Sequence, residues 1–194
     1  MQRYFIVYKS YLVLSQFTTQ SEQQTLADFF HVPKDVYAVG RLDYDSEGLL
    51  ILTNDTALNH RLLNPLFAHE REYWVQVDGA ITDAAITQLQ QGVEINIDGK
   101  LYTTKPCKAT RLSDDIQVPI RNPPIRVRKE IPAPWIRLIL QEGKNRQVRK
   151  MTAKAGFPTL RLIRQRIVNI ELENMQPGDI IELPKKTIYR KLGI

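Results

Sequence analysis

Gly40-Arg41-Leu42-Asp43-Tyr44-Asp45-Ser46-Glu47-Gly48-Leu49-Leu50-Ile51-Leu52-Thr53-Asn54 is the stretch on which the fold turns. Val36 to Val39 leads into it and Leu49 to Leu52 leads out. Both apolar runs are short and bounded by Gly or polar residues, the mark of buried strands rather than of helix. Between them Arg41, Asp43, Asp45 and Glu47 fall within seven residues. A loop slung between two buried strands is a rigid place to hold a reactive carboxylate. Three chemistries fit it. A solvated turn would use Asp43 and Asp45 to bond nearby backbone N–H groups, with Gly48 supplying a permissive dihedral. Calcium binding is imitated by Asp43-x-Asp45-x-Glu47-Gly48, but the twelfth loop position, which needs a bidentate Glu, is Asn54, and the flanks read as strands. The third chemistry is catalysis by a carboxylate.

Arg-Leu-Asp followed by Ser-Glu-Gly-Leu-Leu-x-Leu-Thr-Asn resembles the signature of bacterial RNA pseudouridine synthases of the RsuA family. In that family the aspartate of Arg-Leu-Asp, here Asp43, is the nucleophile. The resemblance implies an α+β pseudouridine synthase fold: a largely antiparallel central sheet, short flanking helices and a cleft across the sheet. It implies a flipped-out uridine, attacked by Asp43 at C1′ or deprotonated at C2′ to give a glycal, whose uracil turns and rejoins through C5. It also implies neither cofactor nor metal, because there is no redox step and no group donor. Tyr73, in Glu72-Tyr73-Trp74-Val75, matches the family's active-site tyrosine. An aromatic on an alternating strand is core by default, but this ring is expected to stack on the loose uracil, with a hydroxyl placed for late proton transfer. Gly143, Gln147 and Arg149 match the family's Gly-x-x-x-Gln-x-Arg pattern, whose arginine pairs with the catalytic aspartate. An opposite charge within about 4–6 Å lowers a carboxylate pKa by ~1–3 units, keeping a nucleophilic acid ionised. Lys9-Ser10-Tyr11-Leu12 stands where relatives usually have Lys-Pro followed by Gly, a departure that bears on the local turn.

The charge distribution points to a polyanion. Net charge is +6 over 194 residues, but residues 1–99 sum to −7 and residues 100–194 to +13. Positions 137–166 carry nine Lys/Arg against one acid, Glu142. Such asymmetry fits RNA met mainly by the C-terminal half. The expected RNA contacts are Arg41, beside Asp43, and Lys144, Asn145, Arg146, Gln147 and Lys150, which fall on a helix read from Lys144 to Ala155 whose N-terminus would favour phosphate. A catalytically idle RNA-binding protein would show the same charge and the same aromatics. Asp43 separates the two readings, since a pure binder gains nothing from a carboxylate that repels its ligand.

At 22.5 kDa, with 43% hydrophobic and 25% charged residues, the chain can bury a real core. The expected organisation is one catalytic domain over residues 1–194, or two lobes sharing one sheet: roughly 1–66 with part of the C-terminus, and 67–170. With the signature starting at Gly40, no small S4-type RNA-binding domain is expected ahead of it. The branch of the family without that domain modifies large-subunit ribosomal RNA. The expected partner is therefore 23S rRNA or an assembling large subunit, with small-subunit and transfer RNA as alternatives. Apolar runs too short for a bilayer, no secretory signal and a lone Cys107 lead to a cytoplasmic protein that makes no membrane contact, and a monomer is expected.

Local patterns complete the reading. Strands are expected at Arg3–Lys9, Tyr11–Leu14, Glu70–Gly79, Trp135–Leu140, Leu160–Ile170 and Ile180–Leu183, with Ile125–Ile131 following a proline-rich loop. Asp98-Gly99 marks a hairpin, because a type I′ turn wants positive φ at both centres. Helices are expected from Ser21 (as N-cap) to before Pro33, from Asn54 or Asp55 to about Leu63, and from Thr82 or Asp83 to about Gln91.

Overall fold

A computed structural model describes residues 1–125 and 130–194. Along the chain run β1 (Tyr4–Lys9), β2 (Val13–Leu14), β3 (Gln24–Thr25), a 3₁₀ turn (Leu26–Asp28), β4 (Tyr37–Ala38) and β5 (Glu47–Thr53). Then come α1 (Thr56–Leu63), a 3₁₀ turn (Pro65–Phe67), β6 (Arg71–Val77), α2 (Asp83–Gln91), β7 (Glu94–Ile97), β8 (Lys100–Thr103) and β9 (Lys108–Arg111). The chain ends with β10 (Trp135–Leu140), α3 (Gln147–Lys154), β11 (Thr159–Ile167), β12 (Ile170–Glu171), β13 (Ile180–Glu182) and α4 (Lys185–Leu192). The class is α+β, and most strand pairs are antiparallel.

Two compact units divide the chain: residues 1–69 with 163–194, and residues 70–162. In the first, β5 is the organising strand. It lies antiparallel to β1, with Phe5 opposite Leu52 and Val7 opposite Leu50. Those four side chains share one face and pack with Val13, Leu26, Phe30 and Val36 into a core. Each fully buried side chain of this size contributes about 1.5–3 kcal/mol, so this face alone outweighs the short length of the flanking strands. The other edge of β1 holds β13. On its far side β5 meets β11 in parallel at Glu47 and Gly48, and β4 in antiparallel at Leu52 and Thr53. Asp55 caps α1 by accepting from the Ala57 and Leu58 N–H groups. The same carboxylate accepts the hydroxyls of Tyr4 and Tyr189, each at 2.7 Å, fastening α4 to β1. Burial alone would raise the Asp55 pKa, but the two tyrosine hydroxyls and the Leu58 N–H hold it below the usual carboxylate value.

In the second unit β10 lies between β6 and β9, with Tyr73 opposite Leu138 and Val75 opposite Ile136. Thr82 caps α2 through its bond from Ala85 N–H, and Gln90 of that helix donates to the Ala109 carbonyl. The β7–β8 hairpin turns at Asp98 and Gly99, with φ values of 50° and 85°, as its Asp-Gly pair requires.

Several expectations are corrected. There is no helix from Ser21: Gln24 and Thr25 pair with β2, and the capping box belongs to Thr25 and Asp28, which bond reciprocally around a 3₁₀ turn. The helix expected from Lys144 starts three residues later, because Arg146 takes a left-handed backbone (φ 53°) and breaks the helical path. The strand read to Ile170 turns at Val168 (φ 52°) before β12. β9 and α4 were not expected. Part of the segment Ile125–Ile131 lies outside the described residues.

Candidate active site

The Gly40–Gly48 loop is held in place by hydrogen bonds from its neighbours and by a turn of its own. Ser15 Oγ donates to the Leu42 carbonyl (2.8 Å) and accepts from the Leu42 N–H (3.0 Å). Leu12 N–H donates to the Tyr44 carbonyl, and Ser46 N–H closes a turn on the Asp43 carbonyl, both at 3.0 Å. Leu12 pays for its place with a left-handed backbone, φ 57°, which costs a side-chain-bearing residue roughly 1–2 kcal/mol. Asp43 and Asp45 are half-buried, while Arg41 is exposed.

Beneath the loop lies a group of buried charges. Lys9, at the end of β1, is fully buried and donates to the carbonyls of Ser10 (3.0 Å) and Val13 (2.7 Å). Glu47 and Arg164 are also buried, and Arg164 Nε donates to the Leu49 carbonyl at 2.8 Å. Lys9 pairs with Gly48 across one edge of β5, and Arg164 pairs with Gly48 across the other. The loop exit is therefore clamped from both sides. Desolvation pushes the Lys9 amine down to about 7, against the opposing pull of Glu47, Asp45 and Asp43.

This shift fixes the sign of a pH effect. Between pH 7 and its ordinary pKa of 10.5, the unfolded chain holds a proton on Lys9 that the folded chain releases. Stability therefore rises with pH across that window, by up to about 1.4 kcal/mol per pH unit, and this contribution is flat below it. Urea denaturation at pH 7, 8 and 9 should show this rise in the wild type and a smaller one in Lys9→Met. Equal slopes in the two proteins would show that Lys9 keeps an ordinary pKa.

In the second unit Tyr73 is 9% exposed on β6, and Arg149 is half-buried on α3, with Nη1 3.5 Å from the Thr159 carbonyl. Lys144, Asn145 and Arg146 are exposed and Lys150 is half-buried. Gln147, expected among the RNA contacts, is buried instead. It is 3% exposed, accepts the Lys144 N–H (3.0 Å) and donates to Glu142 Oε1 (2.6 Å), tying the first residue of α3 to the segment before it. Glu142, also buried, accepts in addition the Lys105 N–H (2.9 Å) and the Tyr102 hydroxyl (2.5 Å). The carboxylate pushes the Tyr102 hydroxyl up to about 12, so it remains a donor. Lys144 Nζ sits 4.9 Å from the centre of the Tyr102 ring. The one acid of the basic run thus faces inward, where three donors occupy it.

Cys107 donates to the Leu89 carbonyl, and burial pushes its thiol up to about 11, which leaves it unreactive. Among the described residues no cluster of His, Cys, Asp or Glu is arranged to hold a metal ion, and no helix is long and apolar enough to cross a membrane.

The structure thus puts Asp43 and Arg41 in the first unit with Lys9, Glu47 and Arg164. Tyr73, Arg149 and the Lys144–Lys150 segment lie in the second. The burial of Lys9, Arg164 and Glu142 was not foreseen, because nothing local marks a charged residue as buried.

Residues 3–154 match the family model described as RNA pseudouridylate synthase. The ribosomal large subunit pseudouridine synthase E of Vibrio vulnificus (strain CMCP6) is 47% identical over 183 residues, covering 94% of this chain and 76% of that protein. Its namesake in Xanthomonas axonopodis pv. citri (strain 306) is 48% identical over 171 residues, 87% of each chain. A crystal structure of a pseudouridylate synthase superposes with a TM-score of 0.78 over 98% of this chain and 74% of that one. At 24% identity, that likeness speaks for the fold.

Proposed function

Because this chain belongs to the RNA pseudouridylate synthase family, we propose that it isomerises a uridine of large-subunit (23S) ribosomal RNA to pseudouridine, in the cytoplasm and without a cofactor. The observation that carries the reading is the Asp43 loop: a half-buried carboxylate on a segment pinned by Ser15 and Leu12 and clamped at its exit by Lys9 and Arg164. An RNA-coating protein has no use for such an acid.

Each step asks something of a residue. Extruding the target nucleotide costs a few kcal/mol, returned by contacts to the flanking strand. Arg41, exposed two residues before Asp43, is suited to hold a phosphate or fill the vacated space. Asp43 attacks C1′ or removes the C2′ proton, and either route frees uracil. Tyr73 is the proposed stacking surface that keeps the freed base from leaving. Arg149 is the proposed cation for the Asp43 carboxylate, a reading that rests on the Gly-x-x-x-Gln-x-Arg pattern. The hydrogen bonds of Gln147 and Glu142 support it by fixing the start of the helix that carries Arg149. Lys144, Asn145, Arg146 and Lys150 are the proposed contacts to RNA phosphates.

The test is to map pseudouridine across total RNA from cells with and without the gene, and on purified 23S rRNA treated with the protein. One large-subunit position should lose its pseudouridine with the gene and regain it in vitro. A change confined to small-subunit or transfer RNA would reject the substrate, and no change anywhere would reject the activity.

A further inference from the structure

On the first unit, α1, the Pro65–Phe67 turn and α4 enclose a cleft of about 420 Å³ whose walls include His60, Arg61, Phe67 and Tyr189. Its aromatic walls each carry a cation. Arg61 Cζ lies 5.4 Å from the centre of the Phe67 ring, and Lys185 Nζ lies 5.0 Å from the centre of Tyr189. Phe67 also stacks on His69.

Among the described residues no carboxylate lines this cleft. The nearby acid, Asp55, is 1% exposed and already accepts two hydroxyls and two backbone N–H groups. The α4 helix adds Lys185, Lys186, Arg190 and Lys191 with no acid of its own; of these, Lys191 is drawn toward Glu173 at 3.7 Å. Beside the cleft the turn leaves Leu66 (89%) and Phe67 (45%) open to solvent. The surface also leads back to the acidic loop. Leu63 Cδ2, at the end of α1, reaches to 2.9 Å from where a Cβ on Gly40 would stand, three residues before Asp43.

We propose that this cleft is a second RNA-contact surface, which takes the sugar–phosphate backbone of a single strand flanking the target uridine. Cations held over aromatic faces suit it to phosphates. The open Leu66 and Phe67 offer apolar area to an unstacked base, the combination by which proteins hold single-stranded RNA. The occupant is RNA rather than an acidic protein segment because the cleft adjoins the segment that carries the proposed nucleophile. This rests on the reading that the protein acts on RNA. It also gives the first unit a role in RNA binding that the charge balance of the first half of the sequence conceals.

The experiment compares full-length wild type, Arg61→Ala/Lys185→Ala, and Lys34→Ala, an exposed lysine that does not line the cleft. Binding to a fluorescein-labelled 23S rRNA fragment is followed by anisotropy over a salt series, and thermal melts report folding. The double variant should melt as the wild type does, bind about tenfold more weakly, and lose about 1–2 from the slope of log K against log salt, while Lys34→Ala loses little. Unchanged affinity and slope in the double variant would overturn the proposal. So would a loss in Lys34→Ala as large as in Lys185→Ala alone, since only diffuse charge would then be at work. Lys185→Ala serves as the second variant if Arg61→Ala unsettles α1. Because the readout is binding, a wild type that makes no pseudouridine would reject the activity and still leave the cleft decided.

Discussion

Asp43→Asn should bind 23S rRNA as the wild type does and form no measurable pseudouridine. The two side chains have the same shape, and the turn at Asp43 is closed by its backbone carbonyl and the Ser46 N–H, so the loop survives the change. What is lost is the anion. An amide neither attacks C1′ nor takes a proton from C2′, and removing the central group of such a catalyst costs on the order of 10⁴-fold or more in turnover. Removing a negative charge from a surface that meets phosphates tightens binding if it changes it at all. Single-turnover assays with tritiated RNA would read the rate, and anisotropy the affinity. Retained turnover would move the chemistry to another residue; lost affinity with lost turnover would make Asp43 structural.

Gly48→Ala should be strongly destabilising. A Cβ there would stand 2.4 Å from the Arg164 carbonyl oxygen and 2.7 Å from the Arg164 nitrogen, and Gly48 itself has φ +110°. All of these obstacles are backbone, so no rotamer change relieves them. Left-handed strain and forced separation of β5 from β11 together cost roughly 3–5 kcal/mol. For a protein of this size, that lowers Tm by roughly 6–20 °C. Activity should fall further than stability explains, because the displaced strand is the exit of the Asp43 loop. Gly143→Ala is the control, with nothing within 4 Å of its added methyl. If both variants melt like the wild type, β5 and β11 do not approach as closely as described here.

Where the sequence was readable, a local rule was decisive. Alternation in Tyr73-Trp74-Val75-Gln76-Val77 gave β6, Asp98-Gly99 gave the hairpin, and Thr82 and Asp55 gave two helix starts. Where it was not, a longer-range contact won. Ser21 and Gln24 had the spacing of a capping box, but Gln24 and Thr25 were claimed by β2 and the box passed to Thr25 and Asp28. In β9 only Ala109 is buried, too little apolar pattern to announce a strand. In α4 the buried residues are Ile188 and Leu192, among six residues with a charged or hydroxyl-bearing side chain. The segment around Asp43 was legible as a loop between two strands, because short apolar runs bound it on both sides. Lys9 and Arg164 were not, because their burial arises only when β1 and β11 close on Gly48 from opposite sides.

That closure has a consequence for how the protein is made. The chain leaves its first unit at residue 69 and does not return until residue 163, in the middle of β11. A ribosome will therefore have synthesised Asp43 and all of residues 70–162 before Arg164 exists to brace the loop. During that interval β5 has one flank open beside Gly48, while the intervening unit is free to fold as a continuous segment. Assembly of the reactive loop is thus a late event in biogenesis, and a ribosome stalled anywhere before β11 would carry the acid without its brace.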